Sequence, residues 1–356
     1  MANRALKGFL NLRWALVSQV LLGILVGDAS AQQAPSAPAR QPDLLIAPRW
    51  TKGESRVYEQ LKVRRQIPRG EAATQASSRA RIDINVLEAG KNGYLLSWVL
   101  SESTLEGSRP PAQEAELAGI LKAMEGWNIL LDLDHAGNLR GVRNWKELKT
   151  RAESLSNSIL QGQKYQGLTP EVQTRLRSQL KARLESKGQI EELCTSEARI
   201  FLAPIGLNFK ASQPVQYEAT LPNPRGGKPF PVHAQFELTT IDPASARAIV
   251  DWKQFVDSAG GDKSQSLGDS IKQLGKNFGR PPGLEQPQQA KPPTIRYECR
   301  YLIDLRTGWV NDLKHLQVIR AQDGSATEES LRIRRIDPNA RQSPGTRSKK
   351  ETPKDR

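Results

Sequence analysis

Strict two-residue alternation is the feature that most constrains how this chain folds. Between Arg296 and Leu305, Tyr297, Cys299, Tyr301, Ile303 and Leu305 share one face, while Arg296, Glu298, Arg300 and Asp304 share the other. Successive side chains of an extended strand point to opposite faces, so such a segment has one buried and one wet side. The same rule places Ile82, Ile84 and Val86 opposite Arg81, Asp83 and Asn85. It also aligns Trp127, Ile129, Leu131 and Leu133, and again Phe230, Val232, Ala234, Phe236 and Leu238. Tyr94–Leu100 is apolar on both faces and is expected to lie inside the sheet. An antiparallel sheet covered on one side accounts for all of these segments. The expected class is α+β and mainly antiparallel β: a curved sheet or half-barrel with a few packed helices.

Helical periodicity is confined to a few stretches. Gln113–Glu125 and Asn144–Leu160 are candidates, the second with a capping box from Asn144 and Glu147. Thr169–Lys187 has Thr169 to cap it, Pro170 in the first turn and Gly188 to end it. Asp269–Phe278 is a fourth candidate. Two stretches are related: LDLDHAGNLRGV in 127–143 and LIDLRTGWVNDL in 294–313 each end an apolar strand near Asp-Leu, turn at a glycine and begin a second strand. Each follows a strand carrying a tryptophan, Trp98 or Trp252, and a helix. Two degenerate repeats are expected. The first β-rich half is 46–197 with a helical insertion at 144–197, and the second is 198–336 with a Pro-rich loop at 280–293. A Pro/Ala/Gln linker at 32–45 and a basic tail at 337–356 lack the apolar residues to fold.

The first 31 residues read as a secretory signal peptide. Arg4, Lys7 and Arg13 precede an uncharged, mostly apolar run from Trp14 to Gly27, and Ala29 and Ala31 place small residues at a cleavage site after Ala31. The run is shorter than the roughly 20 apolar residues of a spanning helix, and no later segment reaches that length. A soluble periplasmic or extracellular protein is expected. Its charge is strongly positive, with 52 Lys and Arg against 38 Asp and Glu. Outside the cytoplasm, anionic envelope polymers or lipids are nearer partners than nucleic acid, which is not expected. Export permits a disulfide between Cys194 and Cys299, and nothing in their spacing requires one.

Motifs for chemistry fail when read against their requirements. Asp132-Leu133-Asp134-His135-Ala136-Gly137 opens like a calcium loop, but Ala136 and Arg143 stand where ligands are needed, leaving a hairpin turn as the better account. Ser178-Gln179-Leu180-Lys181 matches S-x-x-K of penicillin-recognising enzymes without their remaining motifs. There is no H-x-H, H-E-x-x-H, G-x-S-x-G or Gly-rich phosphate loop. No catalytic, cofactor or metal residue is assigned, and an enzyme is not expected.

The hairpins at 79–100, 127–143 and 294–320, with helices able to plug the concave side, resemble exported bacterial half-barrel proteins of the periplasmic lipoprotein-carrier type. The resemblance is architectural and implies a binding protein without naming its ligand. Three readings follow. The first is a non-catalytic cell-envelope protein for a lipid or other apolar or amphipathic ligand. The second is a module holding an anionic polymer or partner protein through a basic surface, and the third is an exported hydrolase. For the first, Tyr94, Leu96, Trp98, Trp127, Ile129 and Leu131 supply one apolar face, and Tyr301, Ile303 and Trp309 another. Such faces are buried either around a ligand or against the protein's own helices.

Overall fold

The alternating segments do form strands, and the strands join into one sheet. In the computed structural model, the described residues are 43–70, 72–107, 111–210, 213–221, 230–255, 294–321 and 323–337. The expected signal peptide, the helix at Asp269–Phe278 and the Pro-rich loop at 280–293 lie outside them, as does the tail beyond Asp337. Of the expected linker, Leu44–Leu45 is a short strand, β1, paired with β7 (Asn208–Phe209). The first half supplies β2 (Ser55–Ile67), β3 (Thr74–Gly90), β4 (Gly93–Gly107), β5 (Asn128–Leu133) and β6 (Leu139–Val142), with α1 (Pro111–Met124) between β4 and β5. Four helices follow: α2 (Trp145–Gln161), α3 (Gln163–Gln166), α4 (Pro170–Arg183) and α5 (Lys187–Leu202). The second half supplies β8 (Val215–Leu221), β9 (Phe230–Asp242), β10 (Arg247–Phe255), β11 (Thr294–Asp304), β12 (Val310–Arg320) and β13 (Ala326–Ile336).

Strand order is β6-β5-β4-β3-β2-β13-β12-β11-β10-β9-β8, eleven strands, every pair antiparallel. The chain enters in the middle at β2, meanders out to one edge, crosses through the helices to the opposite edge, and meanders back to β13 beside β2. The sheet is curved and open. Register shifts at Arg79/Arg81, Val86/Glu88, Asp132/Leu133, Ile249/Val250 and Leu302/Ile303 are bulges of the kind that bend a strand and deepen its twist.

The two meanders share a register. Trp98 faces Ile129 and Leu96 faces Leu131; in the second half Trp252 faces Cys299 and Val250 faces Tyr301. Across the next ladder Leu131 faces Val142, and Tyr301 faces Leu313. One offset of 170 residues therefore carries Ile129 to Cys299, Leu131 to Tyr301 and Asp134 to Asp304. The turns that follow are built alike. The Asp134 carboxylate accepts from the backbone N–H of Ala136 (2.8 Å), and the Asp304 carboxylate from that of Arg306 (2.9 Å). Each turn is completed by a glycine at positive φ, Gly137 (95°) and Gly308 (75°).

Both turns close on the same piece of chain. A Cβ on Gly137 would lie 2.5 Å from Ile205 and 3.1 Å from Pro48, and one on Gly308 would lie 2.5 Å from the Ala47 carbonyl oxygen. Segment 46–50 is fixed between them. Arg49 N–H donates to the Thr307 carbonyl (3.0 Å), Tyr94 Oη donates to the Pro48 carbonyl (2.9 Å), and Trp50 stacks on Trp309 at 4.5 Å.

Gly308→Ala combines a disfavoured φ with a backbone clash, and should lower unfolding free energy by about 3 kcal/mol in urea denaturation. A loss under about 0.5 kcal/mol would show that the turn does not pack on 47–48.

Candidate ligand-binding site

The inner face of the sheet is closed mainly by α5. Its N-cap is a true capping box: Ser186 Oγ accepts from Gln189 N–H, and the Gln189 side chain accepts from Ser186 N–H. From there the helix buries Ile190, Ala198, Ile200, Phe201 and Leu202. The Glu191 carboxylate accepts from Val142 N–H of β6 (2.7 Å), Phe201 stands edge-on to Tyr58 (5.1 Å) and Trp98 (5.5 Å), and the Ile200 carbonyl accepts from Tyr301 Oη of β11 (3.0 Å). One helix thus spans the face from an edge of the first half into the second. The expected boundary at 197/198 cuts through it.

This helix redistributes the residues expected to line a cavity. Leu96, Trp98, Leu131, Tyr301 and Ile303 are buried in the main core with α5. Tyr94 and Trp309 pack on Trp50 instead, and Ile129 is half-buried against the same core. Trp127 alone of the nine lines an open groove. Cys194 and Cys299 are both free thiols, one on α5 and one on β11. Burial pushes the Cys194 thiol up to about 12 and raises that of Cys299 further, so neither is a thiolate at neutral pH.

The groove runs between α1 and α2 and encloses about 520 Å³. Ile120 and Ala123 of α1, and Leu155 and Ile159 of α2, form its walls with Trp127 at the base. The Trp127 indole N–H donates to the Ala123 carbonyl (2.8 Å), which fixes the ring. Ser154 and Ser158 lie along the lining, and Arg151 adds a cation paired to Glu147 at 3.0 Å. Asn144, expected to cap α2, turns to β5 instead: its carbonyl oxygen accepts from Leu130 N–H (3.0 Å) and its amide donates to the Asn128 carbonyl (2.8 Å). That stitch sets the distance of α2 from the sheet.

A second polar region lies on the inner face of the second half. Register places Ala234, Gln254, Tyr297, Gln317, Glu329 and Arg64 in one row across six strands. The adjacent row contains Phe236, Trp252, Cys299, His315, Leu331 and Lys62. Towards β2 the rows are charged. The Lys62 ammonium pairs with Glu197 of α5, which also accepts from Ser196 Oγ (2.7 Å). Burial opposes both charges, yet each holds the other ionised, with Lys62 raised and Glu197 lowered from their ordinary values. Glu329 is raised by burial, and the Glu197 charge adds to that. Towards β10 the rows are neutral. Gln317 Nε2 donates to Tyr297 Oη and the Trp252 indole to Tyr217 Oη, both at 3.0 Å. Gln254 and His315 are 1% and 3% exposed, and among the described residues both amide atoms of Gln254 and Nε2 of His315 lack hydrogen-bond partners.

No family model and no curated protein matches this chain. Among solved structures, one described as "Lipid-protein interactions in lipovitellin" is similar over 81% of this chain and 25% of that one, with 8% identity and a TM-score of 0.40. The chain thus spans about a quarter of that chain's length.

Alternation along β10 and β12 puts Gln254, His315 and Gln317 on the inner face, where a polar side chain needs a partner. The state of His315 is measurable. Burial lowers its pKa to about 4, whereas in the unfolded chain it titrates near 6.5. As pH falls from about 6.5 to about 4, the unfolded state takes up this proton first, so stability falls through that window by up to roughly 3 kcal/mol. In urea titrations His315→Phe should remove that part of the acid sensitivity; an unchanged pH profile would contradict a buried neutral imidazole.

Proposed function

We propose that this chain is an exported, non-catalytic binding protein that holds a single-chain apolar or amphipathic ligand in the groove between α1 and α2. The groove carries the proposal. Its volume of about 520 Å³ falls in the range of small-molecule sites, roughly 300–1,000 Å³, which are mostly apolar with a few polar groups. Ile120, Trp127, Leu155 and Ile159 suit an acyl chain, and Arg151 suits an anionic head. The fixed Trp127 ring keeps the base of the groove formed without ligand, which limits the ordering cost of binding. Export rests on the charged, apolar and small-residue segments ahead of Ala31.

Absence of catalysis is supported by the state of the reactive side chains. His315 is buried and neutral at physiological pH, and both thiols are protonated. The alternative of an anionic partner has a narrower basis. On the outer face of the sheet, arginines pair with carboxylates: Arg300 with Asp251 (2.7 Å), Arg332 with Asp312 (2.9 Å) and Arg81 with Asp83 (2.9 Å). The exposed Arg175, Arg177 and Lys181 of α4 are where such a partner would bind.

Secreted protein should begin at or near Gln32 on N-terminal sequencing and take up a fluorescent fatty-acid analogue saturably at micromolar concentration. Leu155→Arg places a long charged side chain in the groove and should weaken uptake about tenfold or more, in protein shown by circular dichroism to remain folded. Uptake equal in Leu155→Arg and wild type would reject the groove as the site.

A further inference from the structure

We propose a second binding site, on the inner face at β10–β12, for an uncharged hydroxyl- or amide-bearing head group of an amphipathic ligand, recognised by Gln254 and His315. The proposal does not depend on the groove between α1 and α2.

The argument starts from unmet hydrogen bonds. A primary amide offers two donors and an acceptor, and a buried one in a folded protein is nearly always partnered. Gln254 is 1% exposed, yet among the described residues neither Oε1 nor Nε2 has a partner. The neighbouring groups do not meet them. Tyr297, directly opposite on β11, accepts from Gln317 and keeps its own O–H, but makes no bond to Gln254, and the Trp252 indole is bonded to Tyr217. Opposite on β9 stands Ala234, which has no polar side-chain atom to offer. Among the described residues, His315 Nε2 is a further unmet group in this region. Its ring lies 6.3 Å from Trp252 and 6.0 Å from Tyr297, so the imidazole and the aromatic rings form one cluster.

These unmet groups dictate the partner's chemistry. Gln254 Oε1 needs a donor and Nε2 an acceptor, and a hydroxyl or carboxamide provides both without charge. A carboxylate only accepts, which would leave Oε1 unmet, and its charge would be buried among aromatic rings. An ammonium only donates and would leave Nε2 unmet. The surrounding Trp252, Tyr297 and Phe236 supply apolar surface for the rest of the ligand. Gln254 lies on β10 and His315 on β12, with β11 between them, in adjacent rows of the inner face.

Two ligands with the same acyl chain separate the readings: 1-octanoylglycerol, with two hydroxyls, and octanoate, with a carboxylate. Calorimetric titration of leaderless Leu155→Arg protein, whose groove between α1 and α2 is blocked, should show saturable binding of octanoylglycerol and at least about tenfold weaker binding of octanoate, because a site built to hydrogen-bond rejects a ligand that cannot. Gln254→Met removes both unmet atoms at similar length. It should abolish the preference and raise the thermal midpoint of the free protein. His315→Phe should weaken octanoylglycerol in the same direction, so the test stands if one variant fails to fold. Both variants are made in the Leu155→Arg background, so the groove between α1 and α2 contributes to neither titration. Equal binding of the two ligands to the Leu155→Arg protein, or no binding of either, overturns the proposal. So does a lowered midpoint in Gln254→Met together with a high-resolution structure in which ordered water alone bridges Gln254 and His315 and is not displaced.

Discussion

The structure depends on one aromatic contact, the wedge of Phe201 between Tyr58 of β2 and Trp98 of β4. An open eleven-stranded sheet leaves its concave face without a second layer, and a sheet with one apolar face must bury it. Helix α5 supplies that layer where the two halves meet. Phe201 is 1% exposed, with Ile190 and Ile200 at 0%, and truncating a side chain of this kind to alanine typically costs about 3–5 kcal/mol. The Lys62–Glu197 pair, at the same crossing, sets the angle and register of the helix more than it adds stability. Taking two charges out of water consumes much of what their attraction returns.

The second constraint is the return of the chain to its starting point. β2 and β13 pair along eleven residues, so the first and last strands of the sheet are neighbours at its centre. Each half is a meander of local hairpins that forms readily, whereas the central pairing closes a loop of most of the chain and is entropically demanding. Segment 46–50 offsets part of that cost by packing against both Asp-Gly turns, one from each half. Trp98 and Trp252 hold equivalent registers, and the turns at Asp134 and Asp304 both close on this central piece.

Much of the sheet was legible because period-2 patterning reports directly on which face is wet. Tyr297, Cys299, Tyr301 and Ile303 are all buried, as are Ile82, Ile84 and Val86. The likeness of the two Asp-Gly turns was legible for a related reason, since a glycine at positive φ after an aspartate leaves a compact mark. What covers each face was not legible. Gly188 was expected to end a helix beginning at Thr169, but α4 stops at Arg183 and Gly188 lies in the first turn of α5. The Ser186–Gln189 capping box was the signal that could have shown this. With α5 missed, the aromatic faces of Trp98 and Tyr301 had no visible partner and read as cavity lining. The groove at Trp127 needs the separation of α1 and α2, which the Asn144 bonds to β5 determine and no local pattern contains.

The central claim is that both halves form one cooperative body held at α5 and the β2–β13 ladder. Native-state hydrogen exchange across rising denaturant tests it most directly, by comparing the slowest amides of β3 and β4 with those of β10 and β11. One cooperative body predicts that both sets converge on a single opening free energy and a single denaturant slope, and that Phe201→Ala lowers both equally. Two separate opening energies, with Phe201→Ala affecting the first half alone, would contradict it.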